Sequence, residues 1–220
     1  MKTENIYLIE SQNRQNLAET FMRFQEYYES PVFSGRYFSV HEFAAWYTSK
    51  YGAFSYARDW SGFNIPSWVM EPFKNGSFGE LTEKEQKLLS FFKNKEGNFY
   101  IIGATPQDEW FKDTVKHEYV HGAFFTSPSY KSDVISTINE KNPEAVKKAL
   151  REMGYGEDVL TDEANAYLLT EPESLGKHIS LRSGIDLRNT LDKLFKKHFG
   201  FSMAAASAES IMRRVKEFSI

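Results

Sequence analysis

The spacing of apolar residues predicts both strands and helices in the first half of the chain. Asn5–Ser11 and Asn98–Ala104 are short, mostly apolar runs of the kind that forms buried strands. Between them, Gln12–Tyr28 carries apolar side chains three and four residues apart, which predicts a helix. A second helix is expected to end at Gly52, because glycine readily adopts the backbone conformation that ends a helix.

A third helix is predicted to begin at Thr82, since Thr82 and Glu85 have the spacing of a capping box. The aromatic-rich segment Ala53–Trp60 is expected to form a strand. Glycine, asparagine and proline recur in Ser61–Gly79, so we expect a long loop with aromatic anchors there. The overlapping segment Arg58–Trp68 either walls a substrate cleft with Trp60, Phe63 and Asn64 or forms a packed aromatic loop.

The second half of the chain is predicted to be helical. Thr105, Pro106 and Asp108 are typical of a helix start, so a helix should extend from Pro106 to Phe125. Amphipathic spacing, ended by glycine or proline, predicts further helices at Tyr130–Asn139, Glu144–Met153, Asp158–Thr170 and Ser183–Gly200. The tail after Gly200 is also expected to be helical. These patterns indicate one α+β domain, 1–220, with an α/β half in 1–105 and a helical half in 106–220.

Composition limits the classes of function. The net charge of −3 provides no basic patch for nucleic acid, and no apolar stretch approaches the length of a membrane span. The chain contains no cysteine, which excludes disulfides, thiolate metal sites and cysteine nucleophiles. Its first residues lack the apolar segment of a signal peptide, so we expect a cytoplasmic protein. Secretion by a route that needs no such signal is the alternative.

Two of the five histidines lie four residues apart, in the sequence His117-Glu118-Tyr119-Val120-His121. On a helix this spacing puts both imidazoles on one face, where they can bind the same metal ion. Glu118 would lie about 100° around the helix from His117. In this His-Glu-x-x-His pattern two histidines hold Zn²⁺ and the glutamate acts as general base. The alternative is a helix in which these side chains only make hydrogen bonds or an ion pair.

A catalytic zinc site keeps three protein ligands, so one more ligand is needed. Glu163 is the first choice, because on a helix it shares a face with Leu160 and Ala166, which are expected to pack inward. His178 and His198 are the alternatives. A solvated carboxylate at a helix start is the structural alternative for Glu163.

The sequence HEYVH, followed at a distance by DEANAY, resembles the gluzincin class of zinc metallopeptidases over about Phe99–Thr170. The resemblance implies a zincin-like fold in which the metal lies between the two halves of the chain. It also implies zinc as the cofactor, with His117, His121 and Glu163 as its ligands and Glu118 as the general base.

The chain departs from thermolysin-like gluzincins after the ligand glutamate. Where those enzymes have an aspartate one turn later, this sequence has Tyr167, and two extra helices are predicted between His121 and Glu163. The residues that orient the histidines therefore stay open, with Asp162 and Asn165 as candidates.

Gluzincins commonly use a later histidine or tyrosine to stabilise the oxyanion. His178 is the first choice here, and Tyr167, Tyr155 and Arg182 compete with it.

The resemblance implies zinc-dependent hydrolysis of a peptide or protein substrate. The alternatives are an inactive zincin-like binding module and, with less support, a secreted protein that cleaves one host protein. The sequence does not indicate an oligomeric state.

Overall fold

A computed structural model describes residues 5–60, 62–176 and 181–220, with the backbone alone for residues 181–183. Within these residues the strands are β1 (Ile6–Glu10), β2 (Gly62–Pro66), β3 (Tyr100–Ala104) and β4 (Lys216–Ser219). They form a mixed sheet with the strand order β2-β3-β1-β4. Strands β1 and β4 pair in parallel, whereas β2 and β3 are antiparallel.

Helices make up most of the described chain, which confirms the α+β class. The helices before β3 are α1 (Arg14–Glu29), α2 (Val40–Tyr51), α3 (Tyr56–Asp59), α4 (Glu71–Lys74) and α5 (Glu83–Phe91). Those after it are α6 (Phe111–Thr126), α7 (Pro128–Lys141), α8 (Glu144–Glu152), α9 (Leu160–Thr170), α10 (Pro172–Leu175), α11 (Leu181–Phe199) and α12 (Ala208–Met212). None of the helices in the described residues is both long enough and apolar enough to span a membrane.

The chain folds into two compact units. The sheet unit comprises Tyr7–Phe111 and Lys216–Ile220, and the helical unit is built on Lys112–Val215. The sheet unit contains a core dominated by aromatic side chains, among them Phe21, Phe63 and Phe73. Gly103 is required in β3, because a Cβ atom there would lie 2.7 Å from the Phe21 ring.

Local signals explain where several helices begin and end. The Asn13 side chain accepts the Gln15 backbone N–H at 2.8 Å and so caps α1. Thr82 and Glu85 form the predicted capping box at the start of α5. Gly52 ends α2 with a φ of 85°, a left-handed conformation that glycine adopts at little cost.

Two predictions for the middle of the sheet unit are wrong. Ala53–Trp60 contains the short helix α3 rather than a strand. Ser61–Gly79 is not a continuous loop, because it contains β2, a 3₁₀ turn and α4. The strand forms because Phe63 and Ile65 are buried while the intervening residue is not, and because β2 has β3 to pair with. Single-sequence turn signals carry no information about that pairing.

Helix α6 begins at Phe111, five residues later than Pro106, where it was predicted to begin. The Thr105 hydroxyl does not cap it, since this oxygen is buried and has no hydrogen-bond partner among the described residues. Asp108 instead forms an ion pair with Arg14 at 2.5 Å. Its backbone N–H donates to the Thr105 carbonyl in a turn.

The tail after Gly200 is only partly helical. It contains α12, but Lys216–Ser219 forms the edge strand β4 beside β1. The prediction of a helical tail is therefore wrong for its last residues, because pairing with a distant strand overrides the local preference.

A buried ion pair joins α1 to α5 in the sheet unit. Arg23 donates to both carboxylate oxygens of Glu85, at 2.7 and 2.5 Å, and the two side chains are 2% and 1% exposed. Arg23 also donates to the carbonyl oxygens of Phe38 and Glu80. Such a pair adds little stability relative to apolar residues, but loss of one partner leaves an uncompensated buried charge.

Glu85→Ala is expected to lower the free energy of unfolding by about 3–5 kcal/mol, because it leaves the Arg23 guanidinium buried without its carboxylate. Chemical denaturation followed by circular dichroism measures the change. Glu83→Ala, at an exposed position in the same helix turn, is the matched control and should change stability by less than about 0.5 kcal/mol. Equal effects of the two substitutions would contradict this role for the pair.

Candidate metal centre

Helix α6 carries both histidines of the motif and buries uncharged residues around them, as the sequence predicts. The rings of His117 and His121 have their centroids 4.9 Å apart, and their Nε2 atoms are separated by 3.1 Å. The two imidazoles therefore point towards a common centre. The buried residues of this helix beside them are Val115, Tyr119, Val120 and Ala123.

Helix α9 brings Glu163 to the same centre. Glu163 Oε2 lies 3.8 Å from the Nε2 atom of His117 and 3.8 Å from that of His121. All three side chains are largely buried, with exposed fractions of 12% for His117, 9% for His121 and 14% for Glu163. Among the described residues, these three side chains form a group whose ligand atoms converge closely enough to hold a metal ion.

The distances between the three atoms fit a zinc ion. A triangle with sides of 3.1, 3.8 and 3.8 Å has a centre about 2.1 Å from each corner, which is the length of a Zn–N or Zn–O bond. Glu163 Oε2 is buried and accepts no hydrogen bond from any described residue. Two imidazole nitrogens and a carboxylate oxygen are also ligands that Zn²⁺ prefers. The residues present therefore fit the predicted metal.

The far side of the His121 ring is held by a carboxylate. His121 Nδ1 lies 3.1 Å from Asp162 Oδ2, on the first turn of α9 beside Glu163. A proton on Nδ1 shared with this carboxylate leaves the Nε2 lone pair directed at the centre. Asp162, one of the two candidates from the sequence, is thus the residue that orients His121.

The His117 ring is held at the end of α9. His117 Nδ1 lies 3.2 Å from Thr170 Oγ1 and 3.2 Å from Glu171 Oε1. Thr170 Oγ1 already donates to the Ala166 carbonyl at 2.8 Å, so its lone pairs are available to accept from the imidazole. Both histidines therefore have Nδ1 occupied as a donor and Nε2 turned towards Glu163.

The second candidate, Asn165, is engaged elsewhere. Its side-chain oxygen accepts a hydrogen bond from the Tyr130 hydroxyl at 2.8 Å, which ties α9 to α7. Tyr167 lies one helix turn after Glu163 in α9. Its ring packs edge-to-face on His117, with centroids 4.8 Å apart. Tyr167 thus restrains the imidazole by packing rather than by charge.

One carboxylate oxygen of Glu118 is buried beside the two histidines. Its Oε2 atom makes no hydrogen bond to any described residue. Burial raises the pKa of Glu118, although the charges of His121 and His117 act in the opposite direction. A buried carboxylate with a raised pKa and a vacant acceptor atom is suited to taking and returning a proton.

Nearby carboxylates raise the pKa of both imidazoles. Burial acts to lower the pKa of His117, but Glu163 and Glu171 outweigh it. Burial acts likewise on His121, where the charge of Asp162 outweighs it. With both Nδ1 atoms donating, the 3.1 Å between the Nε2 atoms leaves room for one shared proton. A divalent cation at the centre would take the place of that proton.

Two tyrosines lie beside the metal ligands. The hydroxyls of Tyr155 and Tyr167 are 2.9 Å apart and share a hydrogen bond. Burial and then the charge of Glu163 raise the pKa of Tyr155, which keeps its phenol protonated. Of the other residues proposed for the oxyanion, His178 and the Arg182 side chain lie outside the described part of the chain.

His198, the other alternative ligand, lies in a different cluster. Its Nε2 atom is 2.9 Å from Asp133 Oδ2 and its Nδ1 atom is 3.4 Å from the Ser129 hydroxyl. Sequence reasoning missed Thr170 and Glu171 as partners of His117. Thr170 lies seven residues, or about two helix turns, after Glu163. This spacing would have indicated that Thr170 and Glu163 share a face of α9.

Comparisons with models of known protein families, with characterised proteins and with solved structures find no match for this chain. The geometry of the centre therefore carries the functional argument.

His117→Ala and Glu163→Ala are each expected to weaken zinc binding by about 100-fold or more, because each removes one of three converging ligand atoms. Elemental analysis after dialysis against a weak chelator measures the bound zinc. His198→Ala is the control and should retain as much zinc as the wild-type chain. Unchanged stoichiometric zinc in Glu163→Ala would exclude Glu163 as a ligand.

Zinc affinity is expected to fall as the pH is lowered. The pKa of each imidazole is raised, so the metal-free pair holds a proton at neutral pH, and zinc must displace it. Raising the pH removes this competition, and affinity should increase until the pH passes the raised pKa values. Calorimetric titration from about pH 6 to about pH 9, in buffers of different ionisation enthalpy, measures both affinity and proton release. If the zinc affinity did not change with pH and binding released no proton, the metal-free pair of His117 and His121 would not hold a proton.

Proposed function

We propose that this chain is a zinc-dependent hydrolase, a metallopeptidase that cleaves a peptide bond with an activated water molecule. The observation that carries the proposal is the convergence of His117, His121 and Glu163 beside Glu118, whose buried Oε2 atom has no hydrogen-bond partner among the described residues. The proposal includes the gluzincin pattern and a zincin-like fold. In chain order, β3 precedes the motif helix α6, as the resemblance implies.

Two imidazoles and one carboxylate would hold the metal. Zinc bound there supplies a Lewis acid that makes a water molecule a stronger nucleophile at neutral pH. His117 and His121 are kept in the required tautomer by their Nδ1 contacts, so they need little reorganisation to bind it. Glu163 adds a negative charge, so a dication and this ligand set leave a net charge of +1.

Glu118 acts as the proton carrier in this proposal. Its carboxylate accepts the proton that the attacking water loses and then gives it to the leaving amine of the substrate. Burial raises its pKa towards the range in which both transfers are feasible at neutral pH. Its position next to His117 in the same helix keeps it near the metal without using it as a ligand.

The hydroxyls of Tyr155 and Tyr167 are the described groups best placed to donate a hydrogen bond to the oxyanion. Each is uncharged, and the bond between them leaves one hydroxyl proton available to a substrate oxygen. His178 remains the sequence-based alternative. The substrate class that follows from this set of groups is a peptide or protein.

A structural metal site is the second candidate, because the burial of all three ligands favours it. In that case the chain is a zincin-like binding module, and a fourth protein ligand closes the centre. X-ray absorption at the zinc edge distinguishes the two, since a catalytic site retains an exchangeable water and a closed site does not.

Glu118→Gln is expected to retain zinc and to lose peptide hydrolysis by about 10³-fold, because the amide cannot accept the proton. Digestion of a mixed peptide library, followed by mass spectrometry, measures turnover by the zinc-loaded chain. Glu140→Gln, on the exposed side of α7, is the matched control and should behave like the wild-type chain. Full activity in Glu118→Gln would exclude the mechanism, and absence of hydrolysis by the wild-type chain would favour the structural metal site.

A further inference from the structure

A second candidate site lies in the sheet unit, away from the metal ligands in sequence and in a different unit. It is a cavity of about 180 Å³, several times the volume of one water molecule. Five aromatic residues of its lining, here called the aromatic cage, are Trp46, Tyr47, Tyr51, Tyr56 and Trp60. The last turn of α1 closes the cavity with the carboxylates of Glu26 and Glu29.

The aromatic cage forms a continuous series of rings that are tilted or edge-on to one another. Tyr51 lies edge-on to Trp46, at 6.2 Å and 89°, and its ring is 4.5 Å from Tyr47. Tyr47 meets Tyr56 at 5.5 Å and 81°, and Tyr56 lies 6.3 Å from Trp60. All five rings line the same cavity, and the negative faces of aromatic rings attract cations.

The chain already places one of its own cations on the aromatic cage. Lys50 Nζ lies 5.0 Å from the centre of the Trp46 ring and 5.0 Å from that of Tyr51. Both distances fall within the range of a cation–π interaction. Lys50 is exposed, so an ammonium group from solution can compete with it for the same ring faces.

Carboxylates behind the phenols increase this preference for positive charge. The Tyr56 hydroxyl donates to Glu26 Oε1 at 2.8 Å, and the Tyr47 hydroxyl donates to Asp59 Oδ2 at 2.6 Å. A phenol that donates to an anion becomes more electron-rich, which strengthens the attraction of its ring for a cation. Glu29 Oε2, which accepts from Gln25 at 2.7 Å, adds a further negative charge at the rim.

We propose that the aromatic cage binds an alkylated ammonium group, such as the trimethylammonium of choline or of a trimethylated lysine side chain. The lining is mainly aromatic and the nearby carboxylates add negative charge, so the cavity suits a cation that is bound through ring faces rather than through N–H donors. An alkylated ammonium is also weakly hydrated and loses little on entering an aromatic site.

Two exposed rings distinguish the outer side of the aromatic cage from ordinary core packing. Trp60 is 52% exposed and Tyr51 is 55% exposed, whereas Tyr47 and Tyr56 belong to the buried core and line the cavity from within. Two large exposed rings beside a lined cavity leave apolar surface that a ligand can cover. Of the residues proposed from the sequence to wall a cleft, Trp60 lines this cavity, whereas Phe63 is buried in the core.

The test is a titration of the full-length chain with choline and with 3,3-dimethylbutan-1-ol, its neutral analogue of the same shape. Two-dimensional ¹H–¹⁵N NMR follows the indole N–H signals of Trp46 and Trp60. The expected result is saturable shifts of both signals with choline and weaker binding of the neutral alcohol by about 5-fold or more, because only choline gains the cation–π attraction.

Variants test the individual contacts. Glu26→Gln should weaken choline binding, and Lys50→Met should strengthen it by about 5-fold because the competing ammonium is removed. Trp110→Phe, at a site 63% exposed and outside the cavity lining, is the control and should leave the affinity unchanged. Lys50→Met changes an exposed side chain and leaves the packed rings in place, so it is the variant on which the test depends.

A peptide carrying trimethyllysine distinguishes the two sources of the cation. Binding at least about 10-fold tighter than that of choline would support a site for a modified polypeptide, and equal binding would support a free small molecule. Equal affinities for choline and the neutral alcohol would overturn the proposal, as would the absence of any shift in the Trp46 and Trp60 signals.

Discussion

The candidate metal centre depends on one constraint: two imidazoles on successive helix turns must turn their Nε2 atoms towards each other. Two nitrogens 3.1 Å apart in a buried site repel unless a cation or a proton lies between them. Asp162 holds one ring from behind, and Thr170 with Glu171 holds the other. Because all of these partners belong to α9 or the residue after it, the packing of α9 on α6 sets the geometry of the centre.

The charges around the centre also favour a bound cation. The carboxylates of Glu118, Asp162, Glu163 and Glu171 surround two imidazoles. The Oε2 atoms of Glu118 and Glu163 are buried and accept no hydrogen bond from the described residues. Buried anions without partners destabilise a fold unless a positive charge compensates them. A divalent ion at this point would neutralise part of that charge and satisfy the vacant atom of Glu163. Glu118 would then remain as the unbound carboxylate available for proton transfer.

Much of this centre could be predicted from the sequence because helical spacing is a strong constraint. The four-residue step between His117 and His121 and the apolar face of α9 beside Glu163 placed all three residues in the group that the structure brings together. The contacts that orient the two imidazole rings were harder to predict from the sequence. Asp162 was one of two candidates, whereas the contacts of Thr170 and Glu171 with His117 depend on how α9 packs against α6, which helical spacing alone does not determine.

The errors in the fold have a common physical cause. The strand β2 and the edge strand β4 form through pairing with partners distant in sequence, so local patterns did not predict them. Thr105 and Pro106 are typical of a helix start, but the residues from Thr105 to Asp108 form a turn rather than the first turn of α6. Asp108 in this turn makes an ion pair with Arg14. Elements with strong local signals, such as the capped helix α5, were predicted well. The sequence predicted that α6 is a helix and where it ends, but not where it begins.

The most direct test of the account is anomalous diffraction at the zinc absorption edge from crystals of the zinc-loaded chain. The account predicts one strong peak about 2.0–2.2 Å from His117 Nε2, His121 Nε2 and a carboxylate oxygen of Glu163, with one coordination position left to water. No peak at that point, or a peak bound by other side chains, would contradict it.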